Sequence, residues 1–338
     1  MVRKDRAKAL DEISPRRASN LLWGNVIQVL PAHAAAGHLI NFDAVCSESC
    51  VIMRPLQTPR TPINGRSYSY AAATWLAGKA PYGLLECAAK VGGRIHFWLA
   101  RNKRRNVLAN TSQLVDNNED IRPWLAFQNH ALNILELLKA VTEDEGLIAR
   151  RLTLHGSEYI DQALAEGNGL ILTTAHLGNW ELSGLLLAMT GYPITTVAGT
   201  QLTEGWSGQI KAFKERFGIK VVSPTRSMRT LYRDLQGNRV VVLHIDGNVF
   251  SGGIETSFLG KSITAPRGPA HLSRVMGAPT AFAFCQRKPT NRLSVHIGPP
   301  ETAPTTVADE RELTRKFVSN LEKCIVEDPG QWCIFRRL

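Results

Sequence analysis

The chain has 338 residues, of which 44% are hydrophobic and 20% are charged, and its 40 Lys and Arg residues exceed its 29 Asp and Glu residues to give a formal charge of +11. This composition excludes a disordered tail, a collagen-like fibre and a small disulfide-stapled module. The positive surplus either belongs to an ordinary basic protein or indicates an acidic partner, such as nucleic acid, an anionic membrane, a phosphorylated substrate or an acidic carrier protein.

The N-terminal part of the chain, up to about residue 150, is predicted to be mainly helical. Arg16 and Arg17 precede a short apolar run with the outline of a secretory signal, but polar residues such as Asn20 and Asn25 interrupt that run. No stretch of 18 or more apolar residues occurs, so a transmembrane helix is not expected. The segment either packs on the protein, which we favour, or lies on a membrane surface.

The sequence pattern changes at about residue 152, after which short apolar runs alternate with helical stretches. In the N-terminal part, apolar periodicity predicts helices at 69–77, 84–100 and 121–143, and Pro and Gly residues predict a loop at 55–65. Further on, strands are predicted at 169–175, 194–198, 220–223, 239–246, 279–285 and 293–297, and helices at 159–165, 180–189, 209–217, 228–235 and 270–276. This alternation predicts an α/β fold, with a mostly parallel central sheet flanked by helices and a helical N-terminal region.

The strongest local signal follows the first of these strands, where residues 173–182 read TTAHLGNWEL. On one unbroken helix, His176 and Glu181 would lie about 140° apart around the axis, so they can meet only if His176 precedes the helix. The pair Gly178 and Asn179 favours a tight turn at that point. A carboxylate on one imidazole nitrogen would leave the other as a general base. For an isolated histidine, the favoured alternative is a helix cap, with Glu181 complementing the helix dipole.

The six cysteines include no C-x-x-C pair and no Cys/His cluster at zinc spacing. We therefore expect no metal and no cofactor.

The run HLGNWE after a strand resembles the signature of the bacterial lipid A biosynthesis acyltransferases, relatives of the glycerolipid acyltransferases with a His-x4-Asp/Glu motif. The resemblance is collinear over residues 85–338 and continues through Asp246-Gly247-Asn248, Phe258-Leu259-Gly260, Gly268-Pro269-Ala270 and Gln331-Trp332 to Arg336-Arg337. Three departures weaken the assignment to lipid A but not to acyl transfer. Val197-Ala198-Gly199 stands where the family usually has a substrate-binding arginine, the usual N-terminal anchor is absent or degenerate, and Ile334 replaces a tryptophan of the C-terminal signature.

The resemblance implies transfer of an acyl group from a thioester, on acyl carrier protein or coenzyme A, to a hydroxyl or amine. The acceptor would be a glycolipid such as a lipid A precursor, or a smaller polar metabolite. His176 would be the general base and Glu181 would orient it, without a covalent acyl-enzyme.

Five further residues are predicted to bind substrate. Gly178 and Asn179 would let the thioester carbonyl approach the backbone, unless they form only a plain turn. Arg216 and Arg226 would bind a phosphate, although both also fit solvated helix charges. Asp246 follows a strand at the edge where open sheets bind ligands, or it caps the next turn.

An apolar stretch at 84–98 is followed by the basic residues Arg101, Lys103, Arg104 and Arg105. This combination suits contact with an acyl chain, an anionic leaflet or an acidic carrier protein, whereas a solvated surface is the commonest alternative. We therefore divide the chain into a helical membrane-surface or carrier-docking region, 1–110, and an acyltransferase domain, 111–338. The expected location is cytoplasmic, either free or peripheral on the cytoplasmic face of the inner membrane.

Two other functions compete with catalysis. One is a family member that only binds a lipid or carrier. The presence of both His176 and Glu181 argues against this alternative. The other is a basic nucleic-acid-binding protein. The sequence has no aromatic residues interleaved with Lys and Arg and no helix-turn-helix or RNA-binding signature, so no nucleic-acid partner is expected.

Overall fold

The computed structural model describes residues 68–117, 122–143, 145–197, 204–224, 227–247 and 252–338. Within these ranges a seven-stranded sheet is covered by helices on both faces, which confirms the predicted α/β class. The apolar segment after Arg16 and Arg17 and the loop predicted at 55–65 lie outside the described residues.

Of the nine strands found in the described ranges, seven form the central sheet and the other two form a separate hairpin. The strands are β1 (Leu152–His155), β2 (Leu170–Thr174), β3 (Ile194–Val197), β4 (Lys220–Val222), β5 (Val240–His244), β6 (Gly253–Phe258), β7 (Lys261–Pro266), β8 (Thr280–Arg287) and β9 (Leu293–Ile297). The sheet has the order β1-β9-β8-β2-β5-β3-β4, and all its neighbours are parallel except β8 and β9. The antiparallel hairpin pairs β6 with β7.

Helices make the layers on either side of the sheet and the N-terminal region. They are α1 (Tyr68–Lys79), α2 (Tyr82–Leu99), α3 (Arg101–Asn117), α4 (Trp124–Ala140), α5 (Glu145–Ala149), α6 (Ser157–Ala165), α7 (Trp180–Met189), α8 (Glu204–Arg216), α9 (Ser227–Gln236), α10 (Gly268–Met276) and α11 (Val307–Glu327). A 3₁₀ turn, Pro329–Gln331, follows α11.

The two faces of the sheet bury separate apolar clusters, because successive side chains of a strand point to opposite faces. Leu170 and Leu172 of β2 pack with α6, α7 and α8, and we call this the α7 face. Ile171 packs with α9 and α10 on the opposite face. Further along that opposite face, Ile245 packs with α11 and the β6–β7 hairpin, and we call this the α11 face. Both faces of the sheet are therefore buried under apolar side chains, as is usual for a parallel sheet.

Helix α2 carries apolar residues on two opposite sides. One stripe is buried, mainly against α4, and consists of Leu85, Ala89, Gly93 and Phe97. The opposite stripe is exposed and consists of Leu84, Val91, Ile95, Trp98 and Leu99. Trp75 and Leu76 of α1 are exposed as well. We call these seven exposed residues the α1–α2 apolar surface. None of the helices in the described ranges is long and apolar enough to cross a membrane.

Candidate active site

Two polar side chains meet because two neighbouring strands end side by side. β2 and β5 are parallel partners, and their last residues, Thr174 and His244, are paired in the register. Two positions beyond each strand end the chain carries His176 and Asp246, respectively. Nδ1 of His176 lies 2.9 Å from Oδ1 of Asp246. The carboxyl edge of the sheet, where ligands bind in open α/β folds, therefore carries a histidine–aspartate pair.

Asp246 is buried, with 3% of its surface exposed. Its Oδ2 accepts hydrogen bonds from the backbone N–H of His176 (2.7 Å) and from Nε1 of Trp332 (3.1 Å). Burial alone would raise the pKa of Asp246, but the charge of His176 and the hydrogen bonds from it lower the pKa below that of an ordinary aspartate. The ionised carboxylate places the imidazole proton on Nδ1, so Nε2 is the basic nitrogen.

The predicted contact between His176 and Glu181 is wrong, because Asp246 occupies Nδ1 of His176. Glu181, in the first turn of α7, forms an ion pair with Lys214 of α8 instead. Their side chains are only 11% and 9% exposed. Asp246, predicted to bind substrate or to cap the next turn, contacts His176 instead of standing apart from it, and its part in substrate binding stays a prediction. Lys214 was not singled out by the sequence, since nothing local connects it to a residue on another helix.

The turn between His176 and α7 depends on Gly178 and Asn179. Gly178 has a φ of +58°, and a Cβ at this position would collide with the backbone carbonyl of Cys285. Asn179 caps α7, since its side chain accepts a hydrogen bond from the backbone N–H of Leu182 at 3.2 Å. The close approach that Gly178 permits is thus to the protein's own backbone, and Asn179 is fully buried. Both residues shape the turn.

Helix α4 holds this turn through a buried polar cluster. Nδ2 of Asn179 donates to Glu136 at 2.8 Å, and Asn133 donates to the backbone carbonyl of Gly178. Arg287 of β8 makes two hydrogen bonds to Glu136, at 2.8 and 2.7 Å, and one to Asn133 at 2.7 Å. Glu136 and Arg287 are 1% and 8% exposed. We call Asn133, Glu136 and Arg287 the α4 clamp, because they fix the backbone that follows His176.

Aromatic rings enclose His176. The ring of His244 stacks on it with centroids 4.4 Å apart, and Trp180 meets it edge-on at 4.9 Å. Burial, followed by the charge of His176, lowers the pKa of His244 to about 3. His244 is therefore a neutral neighbour, and its Nε2 is buried without a hydrogen-bond partner among the described residues.

A narrow apolar pocket of about 60 Å³ runs beside these residues, on the α7 face of the sheet. Its polar lining residues include Thr174, His244, Glu181 and Lys214. Its apolar walls include Leu172, Leu187, Ile194, Ile219 and Val242. His244 and Trp180, the two rings that contact His176, both line this pocket.

The two arginines predicted to bind phosphate are placed differently. Arg216 ends α8, with its guanidinium 5.9 Å from the ring of Phe213, and its Nε is buried without a hydrogen-bond partner in the described part of the chain. Arg226 lies outside the described residues.

The described residues contain no group of three or more His, Cys, Asp or Glu side chains that would hold a metal ion. Four of the cysteines fall in these ranges and are unpaired; Cys285 and Cys333 are buried, Cys324 is half-buried and Cys87 is exposed.

Comparison with known proteins gives a consistent result for most of the chain. Residues 56–338 match the family described as bacterial lipid A biosynthesis acyltransferase. The phosphatidylinositol mannoside acyltransferase of Mycolicibacterium smegmatis is 26% identical over 237 residues, which are 67% of this chain and 77% of that protein. The protein of the same name from Mycobacterium tuberculosis is 30% identical over 156 residues, which are 44% of this chain and 49% of that protein. The chain therefore spans about half the length of the tuberculosis relative.

Among solved structures, the 1-acyl-sn-glycerophosphate acyltransferase PlsC of Thermotoga maritima is similar, with 13% identity and a TM-score of 0.37. The match covers 74% of this chain and 98% of that one.

Proposed function

The chain belongs to the family of bacterial lipid A biosynthesis acyltransferases, and from this premise we propose that it transfers an acyl group from a thioester to a hydroxyl or amine of a glycolipid. The observation that carries the proposal is the His176–Asp246 pair, whose histidine ring contacts two residues that line an apolar pocket, His244 and Trp180. A base beside a hydrocarbon-lined pocket suits a substrate with a reactive carbonyl and an acyl chain.

The reaction needs one base and no covalent acyl-enzyme. Nε2 of His176 accepts the proton of the acceptor hydroxyl while its oxygen attacks the thioester carbon. The tetrahedral intermediate expels the thiolate, which takes the proton back from the imidazolium, so that an ester and a free thiol leave the site. Asp246 stabilises the imidazolium in between. The N-terminus of α7 carries a partial positive charge that stabilises the oxyanion.

The acyl donor is proposed to be an acyl carrier protein. Such carriers are acidic, and Arg101, Lys103 and Arg105 of α3 are exposed. Arg104 lies over the rings of Phe97 and Trp98 on α2, at 5.6 and 5.7 Å, and its guanidinium is partly shielded. This basic cluster is a docking surface for an acidic protein.

The acceptor is proposed to be a phosphoinositol-type mannolipid, since two relatives are named phosphatidylinositol mannoside acyltransferases. A lipid acceptor implies that the protein works at a membrane, and the α1–α2 apolar surface supports this. Lys79, Lys90 and Arg94 lie on the same two helices, so the surface combines apolar side chains with positive charge.

The test is a transfer assay with the purified full chain. Acyl carrier protein and coenzyme A thioesters are each offered with phosphatidylinositol mannoside, a lipid A precursor and small polar alcohols, and products are identified by mass. We expect His176→Ala to abolish transfer while circular dichroism and the melting temperature stay close to wild type. His271→Ala, a variant of a half-exposed histidine that pairs with Glu310, is the matched control and should retain activity.

Two results would contradict the proposal. Near wild-type turnover by His176→Ala would exclude the general-base mechanism. Binding of thioester or lipid by the wild-type protein without any transfer would favour the alternative of a family member that only binds its ligand.

A further inference from the structure

A second cavity, of about 290 Å³, lies behind the histidine–aspartate pair, on the α11 face of the sheet. Its floor is formed by Asp246 and Gly247, just past the end of β5. The β6–β7 hairpin and α11 form its walls, and Arg336 and Arg337 lie along its rim. The apolar pocket lies on the α7 face and is lined by His244, which stacks on His176, whereas the second cavity is lined by Asp246.

Arg336 is placed in this cavity by its neighbours. A Cβ at Gly247 would coincide with the guanidinium of Arg336, so the missing side chain at 247 gives that group its space. Helix α3 holds the backbone of the arginine segment: Asn110 donates to the carbonyl of Arg336 at 2.8 Å, and Asn106 donates to the carbonyl of Phe335 at 3.0 Å. A fixed backbone therefore presents two positive side chains to the cavity.

The cavity is lined by two arginines and by the carboxylate of Asp246. Neither Arg336 nor Arg337 forms an ion pair within the described ranges. The acid on the floor, Asp246, already accepts hydrogen bonds from His176 and Trp332 on its two oxygens. Two unpaired guanidinium groups beside a cavity favour an anion, and their planar forks match the oxygens of a phosphate.

We propose that this cavity binds the phosphate ester of the acceptor's headgroup, with Arg336 as its main ligand and Arg337 as a second. This inference rests on the proposed function, because the acyl chain of the donor is assigned to the apolar pocket on the α7 face. The phosphate on the donor's prosthetic arm is the other source of the same chemistry, and the experiment separates the two.

The kinetic test compares Arg336→Gln and the double variant Arg336→Gln/Arg337→Gln with wild type. For phosphatidylinositol mannoside we expect KM to rise by about 10–100-fold, since charge-assisted hydrogen bonds of roughly 1.5–3 kcal/mol are lost, while kcat changes little. For a mannosyl diacylglycerol, which has no phosphate, and for the acyl thioester, KM should stay unchanged. Arg150→Gln/Arg233→Gln is the matched control, since it removes two exposed positive charges near the amino ends of the strands.

A binding measurement tests the anion site without depending on catalytic activity. Calorimetric titration with myo-inositol 1-phosphate should show binding to wild type and to the control variant but not to the double variant, and myo-inositol should bind to none of them. Equal binding of the phosphate by the double variant would overturn the assignment, and so would a rise in the thioester KM in place of the acceptor KM. Failure of the wild type to acylate any acceptor would contradict the proposed function, whereas the titration would still decide the anion site.

Discussion

At the level of single side chains, the role proposed for His176 as a general base depends on which carboxylate contacts its Nδ1. Two acids are available, and they differ in what they touch: Asp246 bonds the ring and backbone of His176, whereas Glu181 pairs with Lys214. Only Asp246 is placed to stabilise the imidazolium. Glu181 keeps a buried lysine neutralised beside the apolar pocket, so its contribution is to the stability and shape of that pocket.

These roles predict different phenotypes for two amide substitutions. Asp246→Asn removes the stabilising charge, and we expect kcat to fall by about 10²–10⁴-fold with little change in KM for the thioester. Glu181→Gln leaves Lys214 charged and unpaired, and we expect the free energy of unfolding to fall by roughly 3–5 kcal/mol with a smaller effect on kcat. Steady-state kinetics and urea unfolding of both variants measure the difference. A larger loss of kcat in Glu181→Gln than in Asp246→Asn would show that Glu181 acts on His176 after all.

At the level of secondary-structure elements, the site is assembled by a strand edge and an N-terminal helix together. β2 and β5 bring His176 and Asp246 side by side, and the α4 clamp fixes the turn that follows His176. The clamp contains a buried ion pair, which costs desolvation energy and gives little net stability. We therefore expect the α4 clamp to fix the position of the turn rather than to stabilise the fold.

A double-mutant cycle separates position from stability. Glu136→Met leaves Arg287 charged and buried without its partner, and we expect a loss of roughly 3–5 kcal/mol in the free energy of unfolding. Glu136→Met/Arg287→Met removes both charges and should regain most of that stability. Because Asn179 still lacks its acceptor, kcat should stay low in the double variant. A double variant with wild-type kcat would show that the clamp serves folding alone.

Much of the fold was predictable from the sequence, because long apolar runs and helical periodicity are local signals. The helix predicted at 180–189 agrees with α7, and each of the six predicted strands corresponds to a strand of the sheet. Weak or mixed local signals explain what was missed. β1 has only four residues, α3 is rich in polar residues, and α11 was missed although Thr306 and Asp309 form a capping box at its start.

Only part of the candidate site was predictable from the sequence, because the order of the strands in the sheet decides which residue contacts His176. His176 and the turn after it are contiguous in sequence, so their pattern could be recognised. Asp246 lies 70 residues away, and its contact with His176 depends on β5 being the neighbour of β2. Strand order is not encoded in local periodicity, so the nearby Glu181 was the more obvious partner.

At the level of the whole molecule, the excess of positive charge is combined with an apolar surface on α1 and α2. Trp75 and Trp98 are 62% and 64% exposed, which is unusual for tryptophan. A bilayer with anionic lipids fits both properties, since rings enter the interface and basic side chains meet the headgroups. Docking in this way would bring a lipid acceptor to the protein without a membrane-spanning segment in the described ranges.

Vesicle binding tests this docking. Co-sedimentation should be strong with vesicles containing phosphatidylglycerol, weaker with pure phosphatidylcholine, and reduced by high salt. Trp75→Ser/Trp98→Ser should weaken it by about tenfold or more, because two large apolar side chains no longer enter the interface. Val275→Ser/Val326→Ser, which changes exposed apolar residues elsewhere, should bind like wild type. Dimerisation that is lost in the tryptophan variant, without vesicle binding by the wild type, would assign the surface to a second copy of the chain.

The contacts of residues 331–333 also bear on the order in which the protein folds. The backbone N–H of Gly178 donates to the carbonyl of Gln331, that of Cys333 donates to the carbonyl of His176, and Trp332 bonds Asp246 across 86 residues of sequence. Closing such long loops is entropically costly and slow. A chain interrupted upstream of Trp332 would therefore lack hydrogen bonds to the segments that carry His176 and Asp246. The proposed activity is thus expected to appear only after the C-terminal segment has folded onto the sheet.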